Sequence, residues 1–232
     1  MTYLLAAAPG TASNTFKVNL EVGLNCKHIK LKKDNGIGHI FIDINPLDAF
    51  LHKICLNFLR KKEKLIYGHI IPTKKNLFLL DKYYYLKEIF VTYRNIYDQL
   101  NYFYKWIDNH GICPFHLDTE QTDEQKQKIF NQNDYRIDLS LLLLLEFYKY
   151  WFYLYQYKKK TNITLFSYEE IISQNENYQK KIYEKLNIKF DKTNKKKSNI
   201  YKKKNFKTNP RHIEIIENYI KFYSNIDFSL II

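Results

Sequence analysis

Glycine and proline are scarce in this 232-residue chain, at 6 and 5. That argues against a loop-rich or all-β architecture, which needs many tight turns. Cysteine is scarcer still. Cys26, Cys55 and Cys113 are odd in number and form no CxxC pair. A disulfide framework is therefore not expected, and a reducing, cytoplasmic compartment is the simpler reading. No apolar run is long enough for a membrane span. The best, residues 139–145, is closed off by Asp138, Glu146 and Lys149, so it reads as a buried helix and no stable membrane insertion is expected. No basic leader precedes the first apolar run, so no signal peptide is expected. No Gly-Lys-Ser/Thr triplet follows a glycine-rich loop, which sets aside a Walker-type nucleotide kinase. Acidic residues are also outnumbered: 24 Asp plus Glu face 37 Lys plus Arg, a formal net charge of +13.

What is present is ample core material. Hydrophobic residues make up 45% and aromatics 17% of the chain, which excludes a disordered composition. The positive surplus favours polyanionic partners such as nucleotides, nucleic acid, acidic glycans or anionic membrane, or else a generally solvated basic surface. It is concentrated in residues 192–207, where Lys192, Lys195, Lys196, Lys197, Lys202, Lys203, Lys204 and Lys207 crowd together.

Along the chain, short apolar or β-branched runs alternate with helical periodicity. Strands are predicted at 2–8, 39–44, 64–69, 88–93 and 162–168. Helices are predicted at about 13–22 with Ser13 or Asn14 as cap, 47–61, 95–109, 138–160 capped by Asp138, 178–186, and from Pro210 to about 223. Residues 111–133 read as a polar loop or lid. No repeat and no domain boundary is evident, so residues 1–232 are expected to form one α/β domain. It would be a three-layer sandwich around a central, mainly parallel sheet. Ligands in such sheets sit beyond the carboxyl ends of the strands. That directs attention to residues 8–14, His69, 93–95 and Tyr168.

Two constellations stand out there. Residues 8–15 (APGTASNT) join the first strand to the first helix. Small residues let backbone N–H groups approach a phosphate, the helix N-terminus adds partial positive charge, and Thr11, Ser13, Asn14 and Thr15 add donors. An ordinary capped turn would look the same. The second is Arg94, at the tip of the strand EIFVTY and just before a helix. It is placed to grip a phosphate through two hydrogen bonds, or to pair with Asp98 one turn on.

Residues 89–104 (IFVTYRNIYDQLNYFY) resemble the sulfotransferase segment that runs as apolar strand, Arg-Asn-Pro-x-Asp, then helix. Arg94, Asn95 and Asp98 match it, and Ile96 stands for the proline. Other landmarks follow in order. Residues 9–15 are similar to the family's Pro-Lys/Arg-Ser-Gly-Thr-Thr loop, with Gly10 in place of the basic residue and Ala12 in place of the glycine. Tyr67-Gly68-His69 resembles the segment with the catalytic histidine, and residues 166–171 (FSYEEI) resemble the Tyr-Glu-Asp-Leu segment. Residues 222–230 (FYSNIDFSL) look like the tail of bacterial members.

The resemblance implies a P-loop nucleoside-triphosphate-hydrolase-like fold and 3′-phosphoadenosine 5′-phosphosulfate as donor. It implies that Gly10, Thr11, Ala12, Ser13, Asn14 and Thr15 wrap the 5′-phosphosulfate. Arg94 would bind the 3′-phosphate, with Tyr102 at the position of the family's serine. Tyr168 would contact adenine, and Lys202, Lys203 and Lys204 would close on the 3′-phosphate. His69 would be the general base toward a hydroxyl or amine acceptor, expected to be a carbohydrate or small metabolite. With Gly10 uncharged, Lys17, Lys74 or Lys75 could supply the missing cation. The rival readings are a non-catalytic basic module for nucleic acid or anionic glycan, with Tyr201 and Phe206 interleaved among lysines, and a catalytically impaired nucleotide-binding relative. His110, Cys113 and His116 lack an obvious fourth ligand, so no metal is expected.

Overall fold

The computed structural model describes residues 2–30, 46–47, 49–51, 64–84, 86–110, 135–157, 162–186 and 208–232, with side chains described for all but 30, 107–110 and 135–136. Within these residues one five-stranded sheet forms from β1 (Thr2–Ala7), β2 (His28–Lys30), β3 (Lys64–Gly68), β4 (Leu86–Tyr93) and β5 (Ile163–Ser167). Their order is β2-β3-β1-β4-β5 and every pairing is parallel. The helices are α1 (Ser13–Gly23), α2 (Lys74–Tyr84), α3 (Ile96–His110), α4 (Tyr135–Tyr157), α5 (Tyr168–Ser173), α6 (Glu176–Leu186) and α7 (Pro210–Phe222).

Every residue of β1 is buried. A central parallel strand is covered on both faces and has no solvent side on which to alternate polar residues, so it reads as one apolar run. Successive side chains still feed opposite faces. Leu4 and Ala6 join Ile89, Val91 and Leu165 under α2, α3, α4 and α7. Tyr3, Leu5 and Ala7 join Phe90 and Phe166 under α1, α5 and α6. This is the expected three-layer α/β sandwich, with residues 8–12 joining the first strand to the first helix. The larger core is closed by α4, where Trp151 is fully buried and its indole N–H donates to the Ile70 carbonyl at 2.9 Å. Truncating such a side chain to alanine costs about 3–5 kcal/mol.

Several local expectations are corrected. α1 starts from Ala12 in the left-handed conformation (φ 55°) with no side-chain cap, so neither Ser13 nor Asn14 caps it. β3 ends at Gly68, which leaves His69 in the following loop. α4 begins three residues before Asp138, because Ile137 is already buried in the core. Asp138 is not a cap. Its carboxylate bonds Arg211 of α7 and faces His212 Nε2 at 3.3 Å. β2, α2 and α5 were not foreseen. The expected strand at 39–44, most of the helix at 47–61, the loop at 111–133 and the lysine-rich segment at 192–207 lie outside the described residues. No helix among the described residues is long and apolar enough to cross a membrane.

Strand order decides where a ligand fits. The chain leaves β1 toward β2 at one edge, returns through β3, then crosses β1 to reach β4 and β5. The carboxyl ends of β1 and β4 therefore flank a topological switch point, where helices diverge and a crevice opens.

Candidate functional site

Strand register assembles the site. Tyr93 pairs with Ser167, so the next residues, Arg94 and Tyr168, emerge side by side. The Arg94 guanidinium lies 3.8 Å from the centre of the Tyr168 ring, a cation–π contact. Ser167 caps α5 through a reciprocal capping box with Glu170, which fixes where Tyr168 starts. Ala7 pairs with Thr92, bringing the loop after β1 beside Arg94. Arg94 Nη1 donates to the Gly10 carbonyl at 3.2 Å. Its Nε–H is buried and meets no acceptor among the described residues. No ion pair with Asp98 forms among the described residues. Asp98 instead sits in the first turn of α3, where its backbone N–H donates to Asn95 Oδ1 at 3.2 Å.

The loop at 8–12 is tied down by its carbonyls. Thr11 Oγ1 lies 2.5 Å from the Ala8 carbonyl and 2.6 Å from Thr92 Oγ1. Gln99 Nε2 donates to the Pro9 carbonyl at 2.7 Å. Tyr148 OH donates to Gln99 Oε1 at 2.5 Å and accepts from the Arg94 backbone N–H at 3.3 Å. Burial holds the Tyr148 phenol far above its usual pKa, so it remains a donor. Within a peptide unit C=O and N–H point in opposite directions. Holding the Pro9 and Gly10 carbonyls inward thus turns the Gly10 and Thr11 N–H groups outward. The backbone N–H groups of residues 10–14 meet no acceptor among the described residues. With the uncapped N-terminus of α1 they form a nest of donors suited to an anion.

The other side of the crevice comes from β3. Ala6 pairs with Gly68, which sets His69 beside Ala7. His69 Nδ1 bonds the Ala7 carbonyl. A carbonyl only accepts, so Nδ1 carries the proton and a neutral ring holds its lone pair on Nε2. Tyr67 OH lies 3.1 Å from Ser13 Oγ, and the Lys17 ammonium sits 5.1 Å over the Tyr67 ring and 3.4 Å from Asn14 Oδ1. Burial raises the Tyr67 pKa, partly offset by Ser13. Lys17 is thus held beside the N-terminal turn of α1, while Lys74 and Lys75 are exposed at the start of α2.

The structure brings Gly10, Thr11, Ala12, Ser13, Asn14 and Thr15 together with Arg94, Tyr102 and Tyr168 beyond the carboxyl ends of β1, β4 and β5, with His69 on the β3 side. Tyr102 presents its ring to the Gly10 backbone. Lys202, Lys203 and Lys204 lie outside the described residues, as do Cys113, His116 and the side chain of His110. Gln99, Tyr148, Thr92 and Tyr67 were not anticipated as site residues. Thr92 and Tyr67 sit near the ends of strands already flagged, but Gln99 and Tyr148 act through contacts that no local pattern encodes.

No family model and no curated protein matches the chain. Among solved structures, the chain is similar to mouse sulfotransferase SULT7A1, crystallised in complex with PAP, at 16% identity and a TM-score of 0.44. The match covers 83% of this chain and 61% of the mouse protein, so the chain spans about three fifths of that protein's length.

Proposed function

We propose that this chain is a sulfotransferase that takes 3′-phosphoadenosine 5′-phosphosulfate as donor and a hydroxyl, or an amine, as acceptor. The observation that carries the reading is Arg94. Its Nε–H is buried and has no partner among the described residues, its plane is fixed on Tyr168, and it stands beside a helix N-terminus without a side-chain cap at the switch point of the sheet. No carboxylate among the described residues pairs with this arginine, and a phosphate is an anion its fork fits. The resemblance of the segment around Arg94, Asn95 and Asp98 to the sulfotransferase pattern supports the 3′-phosphate of the donor as that anion.

In this reading the amides of residues 10–14 receive the phosphosulfate and Tyr168 lies against adenine. The acceptor gives its proton to Nε2 of His69 as its oxygen bonds to sulfur and the bond from sulfur to the 5′-phosphate oxygen breaks. Charge builds on that phosphate oxygen, and preorganised donors stabilise it more than water does. Lys17 supplies the cation that Gly10 cannot. A carbohydrate or small metabolite is the expected acceptor. The direct test is calorimetric titration of adenosine 3′,5′-bisphosphate into wild type and Arg94→Ala. Binding to wild type that is lost in the variant supports the reading. No binding to wild type at millimolar nucleotide rules it out.

A further inference from the structure

The two positions where the chain departs most from the pattern it resembles, Gly10 and Tyr102, are in contact. A Cβ built on Gly10 would lie 2.8 Å from Tyr102 Cδ1, 3.0 Å from Cγ and 3.2 Å from Cε1. Those atoms are the root of the ring, not a flexible tip, and cannot move aside unless the ring leaves its place on α3. The ring is itself wedged between neighbours, with Phe103 and Trp106 at centroid distances of 6.1 and 6.0 Å. Gly10 also has φ +73°, a conformation that L side chains rarely adopt.

We propose that Tyr102 is a positioning residue of the phosphate loop. Its ring lies flush against Gly10 and holds the positive-φ conformation that points the Gly10 carbonyl at Arg94 and the Thr11 N–H into the crevice. The pair is coupled: a side chain at position 10 and a ring at position 102 exclude each other. The ring, not the phenol oxygen, does the work, so Tyr102 is not a phosphate donor. With position 10 closed to any side chain, the site must draw its cation from another element. This inference rests on the donor-site reading only for its ligand.

The test uses wild type, Tyr102→Phe, Tyr102→Ala, Gly10→Ala and the double variant Gly10→Ala/Tyr102→Ala. Binding of adenosine 3′,5′-bisphosphate is measured by calorimetry and stability by urea unfolding. Tyr102→Phe should bind within about twofold of wild type, whereas Tyr102→Ala should bind about tenfold more weakly, the factor that one modest coupling supplies. In the double variant the stability losses should be less than additive, because the clash is gone. Tyr102→Phe as weak as Tyr102→Ala, unchanged binding in Tyr102→Ala, or additive stability losses would each overturn the proposal. If wild type binds no nucleotide, the donor-site reading fails, while the urea cycle still decides the coupling. If Gly10→Ala does not fold, comparing Tyr102→Phe with Tyr102→Ala decides it.

Discussion

Replacing Tyr148 by phenylalanine removes one oxygen from the core and tests how the loop at 8–12 is held. The Tyr148 side chain is fully buried in the middle of α4. Its hydroxyl donates to Gln99 Oε1 at 2.5 Å and accepts from the Arg94 amide at 3.3 Å. Gln99 in turn holds the Pro9 carbonyl at 2.7 Å. Phenylalanine fills the same space, so no cavity opens. What changes is that a buried amide oxygen loses its donor and the Arg94 N–H loses its acceptor. Each stranded group costs about 1–3 kcal/mol. The Arg94 bond is long, so most of the loss falls on Gln99, giving about 2–4 kcal/mol in all. Urea unfolding should show a lower midpoint with an unchanged slope, because the surface exposed is the same. Tyr153→Phe on the same helix is the control, since Tyr153 is 39% exposed and its hydroxyl can turn to water. It should change stability by less than about 0.5 kcal/mol. A Tyr148→Phe effect as small as the control would refute the claim that this relay anchors the loop.

His212 is fully buried between Tyr104 and Asp138, and its pKa lies below 6.5, mainly because burial disfavours the charged ring. The unfolded chain therefore binds the proton more readily, so this contribution to stability is complete above about pH 6.5 and falls as pH drops below it. Urea stability should decline from pH 7 to pH 5.5 in wild type and decline less in His212→Gln; equal slopes would contradict the assignment. His69→Ala should lower release of bisphosphate from the donor by about 10²–10⁴-fold, the usual range for a general base, while bisphosphate affinity stays within about twofold. Unchanged turnover would remove His69 from the chemistry.

Much of the architecture was legible because buried parallel strands leave a compact sequence mark. β1 and β5 are short runs without charge, β4 carries Lys87 and Glu88 only ahead of its apolar stretch, and each was expected to within about two residues. β2 has three residues, too few to show a period, and α5 follows β5 without a break, so Tyr168 read as strand. α2 was missed although Leu77, Leu80 and Tyr84 are spaced as a helix face, because it opens on Lys74 and Lys75 rather than on acidic residues. Arg94 and the loop at 8–12 could be found locally, since strand tips in a parallel sheet are where ligands bind. Their supports could not. Gln99 and Tyr148 are 49 residues apart and meet only once α3 and α4 have packed. Asp138 shows the same limit: a carboxylate near a helix start looks like a cap, and only α7, carrying Arg211 and His212, reveals its partners.

The central claim is that Arg94 reads the 3′-phosphate of an adenine nucleotide. The most direct measurement compares adenosine 3′,5′-bisphosphate with adenosine 5′-monophosphate, each titrated into wild type and Arg94→Ala. The claim predicts that the variant loses about 10–100-fold in affinity for the bisphosphate, the scale of one charge-assisted contact, and less than about threefold for the monophosphate. Equal losses for both nucleotides would mean that Arg94 shapes the loop without touching the 3′-phosphate, and would contradict the account.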